Sequence, residues 1–187
     1  MAVIKNILAA LLVILMAGVA ILSLGKQPAL LAEGSESAFM LASHRYDFVR
    51  EDLRLVDDNR PTQANKDFAG TDSRIFEAAY WYPVNHQGAV PEGQHPLVVY
   101  SHGFGSSRAS GKHLGEYLAS NGYIVIAANF PLTNRSAPGG PEPKDVVNQP
   151  GDVSFLIDTV IAWSLDKGHI LSGHIDETRI GVTGISL

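Results

Sequence analysis

Along this chain the hydrophobic positions gather into short continuous runs and one long helical stripe, behind a polar, irregular stretch. Leu97-Val98-Val99-Tyr100, residues 123–128 and Arg179-Ile180-Gly181-Val182-Thr183 are apolar runs bounded by turn residues, the pattern of strands buried on both faces. Residues 75–84 are rich in aromatic and β-forming side chains and predict a further strand, stopped at Pro83. Leu114, Tyr117 and Leu118 share one side of a predicted helix that Gly122 closes. Val153, Leu156, Ile157, Val160 and Ile161 fall at i, i+3, i+4, i+7 and i+8 of a second helix, with Asp152 at its positive end. Strands alternating with helices predict an α/β fold: a mostly parallel sheet with helices on both faces. Ligands of such sheets lie at the C-terminal ends of strands, so chemistry is expected in the loops after Tyr100, Ala128 and Thr183.

Ahead of this core, residues 26–71 have poor periodicity, with Pro28, Pro61 and scattered charges. They predict an extended lead-in with one short strand near residues 46–49. Lys5 precedes an uncharged apolar run over residues 7–22, extended by Ser23 and Leu24. That is longer than the roughly 7–15 residues of a signal-peptide core and close to the about 18 of a spanning helix. Residues 1–25 therefore predict either a signal peptide cleaved before Lys26 or an N-terminal membrane anchor, with membrane association through residues 7–24. Both readings place the remainder outside the cytoplasm, secreted, periplasmic or anchored. The folded α/β core is expected over residues 72–187.

Composition narrows the chemistry. A net charge of -5 without a Lys/Arg cluster argues against a nucleic-acid partner. The chain has no cysteine, which removes disulfides, cysteine nucleophiles, thiolate metal sites and a bacterial lipid-anchor cysteine together.

The last predicted strand runs into Gly184-Ile185-Ser186-Leu187, four of the five positions of Gly-x-Ser-x-Gly. In that motif small flanking residues let a sharp strand-to-helix turn push the serine hydroxyl out at the top of the sheet. Ser186 is thus the candidate nucleophile. Acyl transfer also needs two preorganised backbone N–H groups for the tetrahedral oxyanion. One follows the nucleophile, at Leu187. The other is expected in Ser101-His102-Gly103-Phe104-Gly105, where Gly103 permits close approach, Phe104 N–H donates and His102 shapes the loop.

Competing motifs fail on physical grounds. A Walker loop would need one residue fewer between Gly105 and Gly111-Lys112, and a hydroxyl residue where His113 stands. In a Gly-x-Gly-x-x-Gly reading Arg108 fills a position that must be small for helix–strand packing. The seven histidines show no metal spacing, and His169 and His174 join no carboxylate set. No metal or cofactor is required. Asp152 and Asp158 precede Ser186, whereas this fold orders its triad Ser, Asp/Glu, His, so neither is assigned a triad role.

Together these segments resemble bacterial α/β-hydrolases related to platelet-activating-factor acetylhydrolase, often labelled predicted dienelactone hydrolases. The resemblance rests on Leu55-Val56-Asp57-Asp58-Asn59-Arg60-Pro61-Thr62, Trp81-Tyr82-Pro83 and residues 96–105. It extends through Tyr117-Leu118-Ala119-Ser120-Asn121-Gly122-Tyr123, residues 152–158 and residues 179–187. It implies an α/β-hydrolase fold, Ser186 as nucleophile, Phe104 and Leu187 as oxyanion donors, and a small-molecule or lipid-like ester as substrate. True dienelactone hydrolases use a cysteine nucleophile, which is missing here, so serine ester hydrolysis is the expectation. The family's acid and base lie downstream of residue 187, so the sequence reads as the N-terminal part of a longer enzyme. The alternative is an inactive remnant or a binding module. The loop over residues 130–143 is expected to line the pocket, with Phe104 and Phe130 either apolar contacts for the ester or simply core.

Overall fold

The computed structural model describes residues 32–186, and the chain divides between Ala42 and Ser43 into two units. The first contributes one short helix, α1 (Glu36–Ala42), entered at Ser35, whose hydroxyl accepts the Ala38 N–H at 3.2 Å. The apolar run of residues 7–22 and Leu187 lie outside the described residues. Among the described residues no helix is long and apolar enough to cross a membrane.

The second unit is built on five strands: β1 (Asp47–Asp57), β2 (Arg74–Val84), β3 (His95–Ser101), β4 (Ile124–Ala128) and β5 (Ile175–Gly184). Their order across the sheet is β1-β2-β4-β3-β5. β2 is antiparallel to both β1 and β4, while β3 is parallel to β4 and β5. Four strands therefore run one way and β2 alone opposes them. The fold is α/β with a mostly parallel sheet, as the alternation of runs predicts.

Alternating side chains send the sheet's two faces to two helices. Ala79, Trp81, Val125 and Ala127 pack with Leu114, Leu118 and Ala119 of α2 (Lys112–Ser120). Gly115 lets α2 approach closely, because a Cβ there would stand 2.6 Å from the Trp81 ring. The opposite face, with Phe76, Ala78, Tyr80, Leu97, Val99 and Ile126, covers Leu156 and Val160 of α3 (Gln149–Leu165). Each such fully buried aliphatic contributes about 1.5–3 kcal/mol. Gly122 ends α2 as expected: at φ +90° its N–H reaches Ala119 O at 2.9 Å.

Three expectations need correction. The region ahead of the core is no mere lead-in, since β1 is an 11-residue strand paired with the whole of β2. Its side chains are mostly exposed or half-buried, as on an edge strand, so it lacks a buried strand's apolar run. β2 continues through Pro83 to Val84, because β4 pairs only with residues 78–81 and requires no donor from Pro83. Finally, β5 pairs with β3 on one side and is largely exposed; Val182 keeps 58% of its surface. Its apolar run was read as buried because hydrophobicity reports composition and not coverage.

Candidate active site

Ser101 and Gly184 end adjacent parallel strands, so the loop after β3 and the turn after β5 leave the sheet side by side. The Ile185 N–H reaches Ser101 O at 3.3 Å. Shape holds the two together. A Cβ on Gly184 would lie 2.7 Å from Ser101 O, and one on Gly103 would lie 2.7 Å from Ile185 O and 3.5 Å from Ser186 Cβ. Both glycines are therefore needed for the backbones to meet. Ser186 itself is exposed and has φ +55°, a left-handed conformation that L-residues with side chains rarely adopt. Such strain persists only where surrounding structure enforces it, and it gathers at functional sites.

His102 fixes the partner loop. It is 2% exposed, and its Nε2 accepts the Phe130 N–H at 3.1 Å. That leaves the proton on Nδ1, which donates to Gly103 O at 2.8 Å. Burial pushes the imidazole below its ordinary pKa, against the pull of that carbonyl, and so favours this neutral tautomer. Ser106 N–H also donates to Gly103 O, at 2.9 Å. In a trans peptide the C=O and the next N–H point in opposite directions, so anchoring Gly103 O aims the Phe104 N–H away from the protein. Among the described residues that N–H takes no acceptor.

The loop after β4 braces the same turn from its other side. Gly105 N–H donates to Thr133 O at 2.8 Å, and Arg135 N–H to Ser106 O at 2.7 Å. Thr133 is fully buried and its hydroxyl accepts from Gln149 Nε2 at 2.9 Å. Phe130 is likewise fully buried, its ring 5.0 Å from that of His102. Of the two readings open for it, substrate contact or core, Phe130 is core; Phe104 remains 39% exposed. A cavity of about 280 Å³ opens at the same end of the sheet, over the start of β2 and the end of β4.

Sequence reasoning missed a buried charge cluster behind these loops. Arg74, at the start of β2, chelates Asp152 through Nε (2.8 Å) and Nη2 (2.7 Å), and Asp145 through Nη1 (3.1 Å) and Nη2 (3.0 Å). Arg60 joins Asp152 (2.9 Å) to Asp57 (2.6 Å). Burial alone would push the Arg74 guanidinium down, but Asp152 and Asp145 outweigh that and hold it above its ordinary value. Asp152 is therefore a structural anchor as well as a first-turn acid. The one sequence signal was the Asp57 to Arg60 motif; nothing local marks Asp145.

This strand order, with β2 alone antiparallel, is consistent with a partial α/β-hydrolase fold. The family model for "Platelet-activating factor acetylhydrolase, isoform II" matches residues 73–138, a stretch that contains the Gly103-Phe104 loop and stops before Ser186. That match supports the resemblance to platelet-activating-factor acetylhydrolase-like α/β-hydrolases carried by the sequence motifs. No curated protein matches the chain. Among solved structures, a ferulic acid esterase from Streptomyces cinnamoneus is similar, with 26% identity and a TM-score of 0.48. The match covers 77% of this chain and 54% of the esterase, so the chain spans about half the length of that protein.

Proposed function

We propose that this chain carries the nucleophile and the oxyanion loop of a serine hydrolase acting on carboxylic esters. The observation that carries the reading is the backbone of Ser186, held at φ +55° against Gly103 directly after a parallel strand. A binding module would have no use for that strain. In the proposed reaction Ser186 Oγ attacks the ester carbonyl while a histidine takes its proton. The oxyanion of the tetrahedral intermediate accepts from Phe104 N–H and from the N–H of Leu187. Collapse expels the alcohol, and water then releases the acyl group from Ser186.

His102 cannot be that base, because both ring nitrogens are engaged, with Gly103 O and Phe130 N–H. His95 and His174 lie at the opposite end of the strands. We therefore place the base and its orienting Asp/Glu later in the chain order than Ser186, in the order this fold uses. The apolar N-terminal run supports an extracytoplasmic location for the enzyme.

A fluorophosphonate probe tests the assignment. The protein should become covalently labelled at residue 186, and Ser186→Ala should abolish labelling. Undiminished labelling of that variant would overturn the reading.

A further inference from the structure

The cavity over β2 and β4 has walls whose chemistry limits what it can hold. The half-buried Ile75 and the exposed Glu77, near the start of β2, line one side. One wall belongs to the segment between β1 and β2, with Phe68; the other belongs to the loop after β4, with Pro131 and Pro138. Asn65 locks these walls together, donating through Nδ2 to Pro138 O at 2.8 Å and to Gly140 O at 2.7 Å. The cavity is thus a built feature and not a gap between independent loops.

Most of its polar lining is already engaged. Thr62 and Thr71 hydroxyls both donate to Ser73 O, at 2.9 and 2.8 Å. Asn134 uses its amide on Phe130 O, Pro131 O and the Ser136 N–H. What these residues turn to the cavity is largely hydrocarbon. Glu77 differs: it is exposed at the edge of the cavity, and its carboxylate forms no hydrogen bond or ion pair among the described residues, although Arg54 is its cross-strand neighbour. An apolar cavity with an uncommitted carboxylate at its exposed edge favours an apolar group whose positive charge stays at the mouth.

Its position links it to the reaction. β2 runs against β4, so the start of β2 lies at the C-terminal end of the parallel strands, the end that also holds Ser186. Three strand steps separate β2 from β5, roughly 14 Å at about 4.8 Å per step. Asn129 bridges part of that span: its N–H donates to Glu77 O at 2.8 Å and its Oδ1 accepts the Arg108 N–H at 2.7 Å.

We propose that this cavity binds a cationic apolar group and, resting on the hydrolase reading, that the group is the non-reacting end of the ester substrate. Phenethylammonium is the probe, with 2-phenylethanol as its neutral counterpart, each titrated into the protein and followed by NMR. Phenethylammonium should bind saturably and at least fivefold tighter than the alcohol. Glu77→Gln should remove that preference, Ile75→Trp should abolish binding by filling the chamber, and Ser186→Ala should leave binding unchanged. Absence of saturable binding, or equal binding by Glu77→Gln, would overturn the site.

A second arm compares two esters of equal length, one with an ammonium and one with a hydroxyl about 14 Å from the carbonyl. Glu77→Gln should lower kcat/KM about fivefold for the cationic ester alone. Cation binding without hydrolysis of either ester would end the hydrolase reading and the substrate role, and leave the site standing. Hydrolysis of both esters without a Glu77 effect would end the substrate role.

Discussion

Two junctions hold the loops of this domain in place, and they use opposite means. Arg74, Asp145, Asp152, Arg60 and Asp57 join four segments through charge, with Arg74, Asp145 and Asp152 almost without solvent and Arg60 at the edge. At the elbow, Gly103 and Gly184 join two turns through the absence of side chains. The charged junction is sensitive to a missing partner, because one removed carboxylate strips the buried Arg74 of two of its four hydrogen bonds. The glycine junction tolerates no added atom. The first junction is therefore the one sensitive to a lost side chain, and the second the one that holds the geometry of the proposed chemistry.

The sharpest way to break this contrast is Asp152→Ala. It should lower unfolding stability by about 3–5 kcal/mol in a denaturant titration, because Arg74 and Arg60 lose their shared acceptor. A loss below about 1 kcal/mol would mean that solvent already screens the cluster.

Gly103→Ala should act the other way round. Its methyl would press on Ile185 O, displacing a proposed oxyanion donor at a cost of about 2.7–4 kcal/mol, roughly a hundredfold or more in fluorophosphonate labelling rate. The melting transition should move less than in Asp152→Ala. Unchanged labelling would show that the two turns are free to separate.

His102→Ala probes the link between the junctions. Losing the bonds to Gly103 O and Phe130 N–H should cost about 1–3 kcal/mol. It should also alter the pH dependence. Burial depresses the His102 pKa, so the unfolded chain binds more protons as pH falls through the ordinary imidazole value of about 6.5. Folded wild type should therefore lose stability below that pH, and the variant should lose part of this slope. An identical slope in both would assign the acid sensitivity elsewhere.

The smallest effect belongs to β5. Val182→Thr, on its exposed stretch, should change stability by no more than about 0.5 kcal/mol. A larger loss would mean that this face is covered in solution.

The same contrast explains what the sequence reveals. Glycine geometry is local: Gly103 beside an apolar run, and Gly184-Ile185-Ser186 after one, mark turns by position alone, and the structure brings those turns together. The family match reaches the first of them but not the second. Charge pairing is non-local. Arg74 and Asp152 are 78 positions apart, and nothing around either residue names its partner. Exposure is non-local too: the apolar run of β5 predicts burial but is largely exposed, and the sequence leaves Phe130 open between pocket and core, which its place beside His102 decides.

The crossed strand order also constrains the route by which the chain folds. β2 does not pair with β3, its neighbour in sequence; it pairs with β4, and β3 lies beyond. Parallel pairing of β3 with β5 must close a loop running from Ser101 to Ile175, a slow kind of contact to form. As the chain emerges during synthesis, β2, β4 and β3 can assemble with α2 while Gly103 still faces solvent. Of the described strands β5 arrives last, and only its docking can force Ser186 into its strained backbone. Reactivity would then be gated in time, with the nucleophile aimed only once the sheet behind it is already in place.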